Sequence, residues 1–320
     1  MDANGFSSAT INDLQSIVVG RSREAELVVA ALMGGRHLLL EGPPGTGKST
    51  LLRAIAVSAN RGFEFVEGNA ELTPARLIGH FDPAMVLDSG YRPDIWIDGP
   101  LARALRNGSL LYIEEMNRVP EETLNVLVTV MSEGDLTIPR LGRIKADPGF
   151  GLVAAMNPYD AVGTSRVSSA IHDRMCRVLM DYQSAEDEHA IAIRALASTP
   201  SADSVSKDGV SIDDIWTSKI VELVRATRSH PEVRVGSSVR GAIDLITMAH
   251  QLGRLRATDP TDPAVGLDAA LAALTGRIRP ADSSRSTPEQ IVTELWNTVM
   301  APDQAGKAQS RKAALTTTNR

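Results

Sequence analysis

A glycine-rich turn between an apolar run and a helical run constrains this 320-residue chain more than any other feature. It spans 42–49, reads G-x-x-x-x-G-K-S and follows the apolar run 37–41. Backbone N–H groups of such a turn, with the positive end of the helix dipole, bind phosphate oxygens. Lys48 can reach the β- and γ-phosphates, and the Ser49 hydroxyl can bind Mg²⁺. The motif therefore predicts a site for ATP or GTP.

Composition narrows the class of protein. The chain is 43% hydrophobic and 22% charged, and its net charge of −6 argues against general affinity for nucleic acid. Cys176 is the single cysteine, so we expect neither an internal disulfide nor a cysteine metal site. The chain shows no secretion signal and no run of 18 apolar residues, so we expect a cytoplasmic protein without membrane insertion.

Apolar runs alternate with helical periodicity in the first half of the chain. The predicted strands are 37–41, 63–66, 109–114, 151–156 and 177–181, and the predicted helices are 22–34, 49–59, 100–107 and 120–133. Continuous apolar runs between helices are typical of a parallel sheet covered on both faces. We therefore predict an α/β nucleotide-binding core over 1–182. Two inserts interrupt it, a segment rich in Gly, Pro and Asp at 72–99 and a hairpin at 134–149.

Beyond 182 only helical periodicity is found. The predicted helices are 185–198, 213–228, 238–253, 266–275 and 287–300, with a loop at 199–211. This pattern predicts a second, all-helical domain over 183–300. The polar segment 301–320 is predicted to be a disordered tail.

Two carboxylates follow the apolar run 110–113. Parallel sheets place their ligand sites at the carboxyl ends of strands. We predict that Glu114 binds Mg²⁺ and that Glu115 polarises the water that attacks the γ-phosphate. The alternative interpretation is an ordinary strand followed by a solvated acidic turn.

In order and spacing these segments resemble those of AAA+ ATPases and, within them, the MoxR family. The resemblance covers roughly 16–275. Its segments are 18–21, Walker A at 42–49, 96–105, Walker B at 114–120, sensor 1 at 155–158, 163–164, 171–175 and sensor 2 at 236–240. The chain departs from the family in having Glu114 where Asp is usual and Met175 where an aromatic residue is usual.

The resemblance implies a P-loop core with a helical lid, and ATP and Mg²⁺ as ligands. The implied nucleotide-binding residues are Val19, Gly20, Gly42, Pro43, Pro44, Gly45, Thr46, Gly47, Lys48, Ser49 and Thr50. The implied catalytic residues are Lys48, Glu115, Asn157 of sensor 1, Arg174 from a neighbouring subunit and Arg240 of sensor 2. The predicted metal ligands are Ser49 and Glu114.

For three of these residues the sequence alone leaves a structural alternative open. Asn157 also fits a turn, Arg174 a surface ion pair with Asp173, and Arg240 a solvated helix start. Arg118, Arg166 and Arg177 compete with Arg174 for the role of the arginine supplied in trans.

The resemblance also implies partners. A shared arginine requires a homo-oligomer, usually a ring of six, that remodels a protein client. Related proteins often work with a protein carrying a von Willebrand factor A domain. The two inserts would face the ring pore or the partner, with Tyr91, Arg92 and Trp96 as candidate contacts. The rival hypotheses are a nucleotide-gated scaffold with little hydrolysis, a small-molecule kinase and, less favoured by the acidic charge, a DNA remodeller.

Overall fold

A computed structural model describes residues 11, 13–14, 17–158, 167–197 and 214–301. The chain divides into two compact units, and the boundary lies between Gln183 and Ser184. Several predicted features lie outside the described residues: the 163–164 segment, Arg166, the 199–211 loop and the tail from 302 onward.

The first unit contains one five-stranded sheet and two short strand pairs. The sheet strands are β1 (His37–Glu41), β2 (Phe63–Glu67), β5 (Leu110–Glu114), β8 (Gly151–Met156) and β9 (Met175–Leu179). The antiparallel pairs are β3 (Gly79–Phe81) with β4 (Trp96–Asp98), and β6 (Asp135–Ile138) with β7 (Gly142–Lys145). The helices are α1 (Ser22–Met33), α2 (Lys48–Ser58), α3 (Pro74–Ile78), α4 (Pro83–Ser89), α5 (Pro100–Asn107), α6 (Glu121–Glu133) and α7 (Ser169–His172). Two 3₁₀ turns cover Pro93–Ile95 and Met116–Arg118.

The sheet has the order β2-β5-β8-β1-β9, and all neighbours pair in parallel. This confirms the predicted parallel sheet. Successive residues of a strand point to opposite faces, so each strand contributes to two cores. On β5, Leu110 and Tyr112 pack on the side of α1 and α2, whereas Leu111 and Ile113 pack on the side of α5 and α6. Because the strands are parallel, the carboxyl ends of β1, β5 and β8 lie at the same end of the sheet.

The last strand of the sheet lies two residues earlier than the sequence predicts. The prediction was 177–181, and the observed strand is Met175–Leu179. Its register is fixed by β1, since His37 is paired with Met175 and Glu41 with Leu179. The start of β9 is therefore determined by its pairing with β1 and not by the apolar run alone.

The two inserts fold as hairpins that contact each other. Phe81 packs edge-on against both Tyr91 and Trp96, with ring centroids 5.2 and 4.9 Å apart. Arg140, in the turn between β6 and β7, lies with its guanidinium carbon 3.9 Å from the ring centroid of Tyr91. Arg92 pairs with Asp94 at 2.9 Å. Of the three candidate contact residues, Tyr91 and Arg92 are exposed and Trp96 is partly buried.

The second unit is mostly helical. Its described helices are α8 (Ala185–Ala197), α9 (Asp214–Ser229), α10 (Val239–Arg256), α11 (Pro263–Leu274) and α12 (Pro288–Val299). It also contains a short antiparallel pair, β10 (Val233–Val235) with β11 (Arg279–Pro280), which helical periodicity does not predict. Helix α11 begins three residues before the predicted start, because Pro263 suits a first helical position and the Asp262 carboxylate caps the helix.

In the part of the chain that the structure describes, every helix is too short or too polar to cross a lipid bilayer.

Candidate functional site

The phosphate loop connects β1 to α2. Strand β1 is buried and ends at Glu41, and α2 begins at Lys48. Gly47 has a φ of 84°, a left-handed conformation that most side chains disfavour. Among the described residues no side chain caps the start of α2, and the first N–H groups of a helix are a favourable site for an anion.

Lys48 is buried inside this loop, with 8% of its surface exposed. Its ammonium group donates to the carbonyl oxygens of Gly42 and Pro43, both at 2.9 Å. The Thr46 hydroxyl lies 3.4 Å from the same nitrogen and donates to the Pro43 carbonyl at 3.0 Å. The positive charge is therefore already held within the turn that would surround a phosphate group.

The loop residues predicted to bind nucleotide occupy one continuous segment. Gly42 and Thr46 are buried, whereas Pro44 is exposed at the rim. Thr50 is exposed on the first turn of α2. The structure thus brings together most of the predicted contacts: Gly42, Pro43, Pro44, Gly45, Thr46, Gly47, Lys48 and Ser49. Their contacts with nucleotide remain a prediction.

Ser49 and Glu114 form a pair of oxygen ligands. The Ser49 hydroxyl lies 3.2 and 3.3 Å from the two carboxylate oxygens of Glu114. Two neighbouring ligands of an octahedral Mg²⁺ at 2.0–2.1 Å lie about 2.9 Å apart, so this separation suits the ion. No cluster of three or more His, Cys, Asp or Glu suited to a metal is found among the described residues. One carboxylate, one hydroxyl and substrate phosphates are a usual Mg²⁺ environment.

Glu115 follows the strand in a left-handed conformation, with a φ of 52°. Such a φ is uncommon for a residue with a side chain and is often found at functional sites. Its carboxylate pairs with Arg118 Nε at 3.1 Å, and both side chains are nearly two-fifths exposed. Glu115 thus lies next to Glu114 but is held toward the following 3₁₀ turn.

Gly68 is a site residue that sequence reasoning missed. Its N–H donates to the Glu114 carbonyl at 2.7 Å. A Cβ atom at this position would lie 2.4 Å from the Glu115 carbonyl oxygen and 2.7 Å from that of Glu114. Glycine is therefore required for the backbone after β2 to approach the two carboxylates. The sequence carried no signal for this contact, because it depends on the pairing of β2 with β5.

The segment before α1 lies against the phosphate loop. Val19 is half-buried and Gly20 is exposed. Arg21 is only 3% exposed and donates to the Thr46 carbonyl at 2.9 Å and to the Asp181 carbonyl. The guanidinium group thus connects the start of α1, the phosphate loop and the segment after β9. Its place in this network requires the tertiary structure and could not be derived from sequence.

We expect Arg21→Met to loosen the phosphate loop. The substitution leaves two carbonyl groups without their donor, at a cost of about 2 kcal/mol in the free energy of unfolding. Nucleotide affinity should fall as well, because the carbonyl of Thr46 belongs to the loop. Urea denaturation and nucleotide titration measure the two effects. Arg23→Met is the matched control, since Arg23 is an exposed arginine two residues further on, in the first turn of α1. Equal behaviour of the two variants would contradict this prediction.

Asn157 lies where the sequence predicts, directly after β8 and half-buried. Strand β8 lies between β5 and β1, so Asn157 lies at the same end of the sheet as Glu114 and the phosphate loop. The backbone connects the two segments, since Gly42 N–H donates to the carbonyl of Met156 at 3.2 Å. An amide at this position suits the predicted contact with a γ-phosphate or water.

Arg174 lies at the amino ends of the sheet strands, whereas the phosphate loop lies at their carboxyl ends. It precedes β9, which runs parallel to β1, whereas the phosphate loop follows β1. Five residues of strand span about 16 Å. The Arg174 side chain donates to Ser132 Oγ at 2.7 Å and to the Ala170 carbonyl at 2.9 Å, and Asp173 is 4.0 Å away. Arg174 is therefore separated from the phosphate loop of its own chain.

Two of the competing arginines have strong local partners. Arg177 donates through Nε to the buried carboxylate of Glu41 at 2.5 Å. Arg118 pairs with Glu115. Both arginines are therefore bound closely to carboxylates of their own chain, and the role of Arg174 in trans remains a prediction.

Arg240 is exposed near the start of α10 in the second unit. Arg228 contacts the segment before Arg240: Arg228 Nε donates to the Ser237 carbonyl at 2.7 Å, and Arg228 Nη2 pairs with Glu188 at 2.8 Å. Glu188 is only 1% exposed and also pairs with Arg225 at 2.9 Å. The contact of Arg240 with nucleotide remains a prediction.

The sheet has a phosphate loop between β1 and α2, and a strand two positions from β1 that ends at Glu114. With the strand order, these features define the fold of an AAA+ P-loop NTPase. Residues 37–175 match the family model of the AAA domain, dynein-related subfamily. Residues 13–60 match the model of magnesium chelatase, subunit ChlI.

Relatives and solved structures agree with this fold. YeaC of Bacillus subtilis, itself uncharacterized, is 29% identical over 277 residues, which cover 82% of this chain and 83% of YeaC. A crystal structure from Cytophaga hutchinsonii, provisionally assigned as an ATPase, is 22% identical with a TM-score of 0.50 and covers 90% of this chain and 92% of its own. The RuvB Holliday junction branch migration motor of Thermotoga maritima is 21% identical with a TM-score of 0.51, over 82% of this chain and 73% of its own. Identity at this level shows the fold alone.

Proposed function

We propose that this chain is a MoxR-type AAA+ ATPase that uses ATP hydrolysis to remodel a protein partner. One observation carries the proposal: Ser49 and Glu114 face each other at 3.2 Å beside a phosphate loop, and Glu115 follows directly. That arrangement supplies a phosphate cradle, a place for Mg²⁺ and a carboxylate that can accept a proton from water.

Each residue has a defined task in this proposal. Lys48 and the first N–H groups of α2 bind the phosphates, and Asn157 orients the γ-phosphate or the attacking water. Mg²⁺, held by Ser49 and Glu114, neutralises charge on the phosphate oxygens when bound. Glu115 accepts the proton of the attacking water, for which its carboxylate must turn away from Arg118.

The position of Arg174 supports a shared site. Arg174 lies at the end of its own sheet that is opposite the phosphate loop. It can therefore contact a γ-phosphate only in a neighbouring copy. Repeated head-to-tail contacts of this kind close into a ring, and six copies is the usual number in the resembling family. Arg240 of the lid would contact the phosphates in the same subunit and couple lid position to nucleotide state.

A protein client would bind to the surface of the two hairpins. The two contacting hairpins around Tyr91 and Arg140 offer an exposed surface for a protein partner, with a von Willebrand factor A domain protein as one candidate. A nucleotide-gated scaffold is the second candidate function, favoured by the pairing of Glu115 with Arg118. A cytoplasmic location remains a prediction.

Mixing two inactive variants tests the shared site. We expect Arg174→Ala and Glu115→Gln each to bind ATP but turn over poorly, and an equal mixture to regain activity. A boundary between the two variants can combine an intact Glu115 with an intact Arg174, and random mixing places about a quarter of boundaries in that state. Phosphate release measures the recovery.

The control is a chain that carries both substitutions, mixed with Arg174→Ala. This mixture has no intact Arg174 at all, so it should stay inactive. If the first mixture gains nothing over its components, the arginine does not act in trans and the ring proposal loses its main support.

A further inference from the structure

Tyr112 lies inside the candidate site, although neither the motifs nor the family resemblance assigns it a role. It is two residues before Glu114 on β5, so both side chains point to the face of the sheet that packs against α2. The ring is fully buried and packs against Phe63 and Phe65, with centroids 6.0 and 5.8 Å away. The hydroxyl is therefore held in one place by aromatic packing.

The hydroxyl of Tyr112 lies beside Ser49 and Glu114, the two predicted metal ligands. Tyr112 Oη lies 3.4 Å from Ser49 Oγ and also interacts with the Glu114 carboxylate. A tyrosine hydroxyl is a hydrogen-bond donor, and a buried donor needs an acceptor.

Glu114 has a particular need for such a partner. A glutamate side chain has one more rotatable bond than the aspartate usual at this position in the resembling family, so it loses more conformational freedom when it binds a metal. A fixed donor beside the carboxylate reduces that loss. Hydrogen bonds from outside the ligand shell commonly orient metal ligands in this way.

We propose that Tyr112 is a positioning residue for the Mg²⁺ ligands, with its hydroxyl donating to the Ser49–Glu114 pair and holding both oxygens toward the metal. This inference rests on the proposed function, since it concerns the same site. Tyr112 acts through its two neighbours and does not itself touch the substrate. The aromatic contacts and the hydroxyl have separate roles, one in packing and one in metal binding.

Tyr112→Phe tests the proposal because it removes one oxygen atom and keeps the ring. Binding of a fluorescent ATP analogue is measured in EDTA and across a Mg²⁺ titration. We expect unchanged affinity in EDTA and a midpoint of the Mg²⁺ titration about tenfold higher than in the wild type. An equal midpoint in both proteins overturns the inference. Loss of binding in EDTA also overturns it, since the hydroxyl would then support the fold.

Phe63→Leu is the matched packing control. It weakens the aromatic contact with Tyr112 but keeps the hydroxyl, so the Mg²⁺ midpoint should stay at the wild-type value. A shift as large as that of Tyr112→Phe would assign the effect to packing. A different result would contradict the proposed function itself: the wild type would bind no ATP analogue, or would bind it without any response to Mg²⁺.

Discussion

Lys48→Ala is expected to abolish measurable ATP binding. The ammonium group of Lys48 is the cation of the phosphate loop, and it is almost fully removed from water by its contacts with Gly42 and Pro43. A charge held in a site that excludes water interacts with phosphate far more strongly than an exposed one. We expect affinity to fall at least about 100-fold, or about 2.7 kcal/mol. Isothermal titration with ATP measures this change.

The loss should be specific to the buried lysine. Lys145→Ala is the matched control, because Lys145 is an exposed lysine on β7 and its removal changes the net charge equally. Its affinity for ATP should match the wild type. The buried ammonium group also donates to carbonyl groups of the loop, so its removal could affect folding. Circular dichroism must therefore show that Lys48→Ala is folded like the wild type. Tight ATP binding by a folded Lys48→Ala would refute the assignment of the phosphate loop.

The fold was largely predictable because its signals are local. Buried parallel strands appear in a sequence as continuous apolar runs, and four of the five sheet strands lie within one residue of their predicted bounds. The phosphate loop was predictable for the same reason, since all its residues are adjacent in sequence. Strand β9 was placed two residues late because its start depends on pairing with β1.

The parts of the candidate site that were missed depend on tertiary contacts. Arg21 reaches the Thr46 carbonyl 25 residues away, and Tyr112 meets Ser49 across 63 residues. Gly68 matters only because β2 pairs with β5 beside the carboxylates. Arg21 ends the 18–21 segment and Tyr112 lies in the apolar run 110–113, but the spacing of neither segment indicates these contacts. Their roles follow from register and side-chain direction, which a pattern of residue types does not encode.

Glu115→Gln is expected to separate ATP binding from ATP hydrolysis. Glutamine keeps the shape of the side chain but cannot accept a proton from water, so turnover should fall about 100-fold or more. Binding should remain, because the contacts of the phosphate loop and of the Ser49–Glu114 pair are untouched. Phosphate release and nucleotide titration on the same preparation measure the two properties.

The matched control is Glu122→Gln, which removes an equal charge from an exposed position in the first turn of α6. Its turnover should equal that of the wild type. The same comparison decides between the two candidate functions. An ATPase has a wild-type turnover far above that of Glu115→Gln. A nucleotide-gated scaffold binds ATP with no turnover above that variant. The Glu115 carboxylate would then remain paired with Arg118 when ATP is bound.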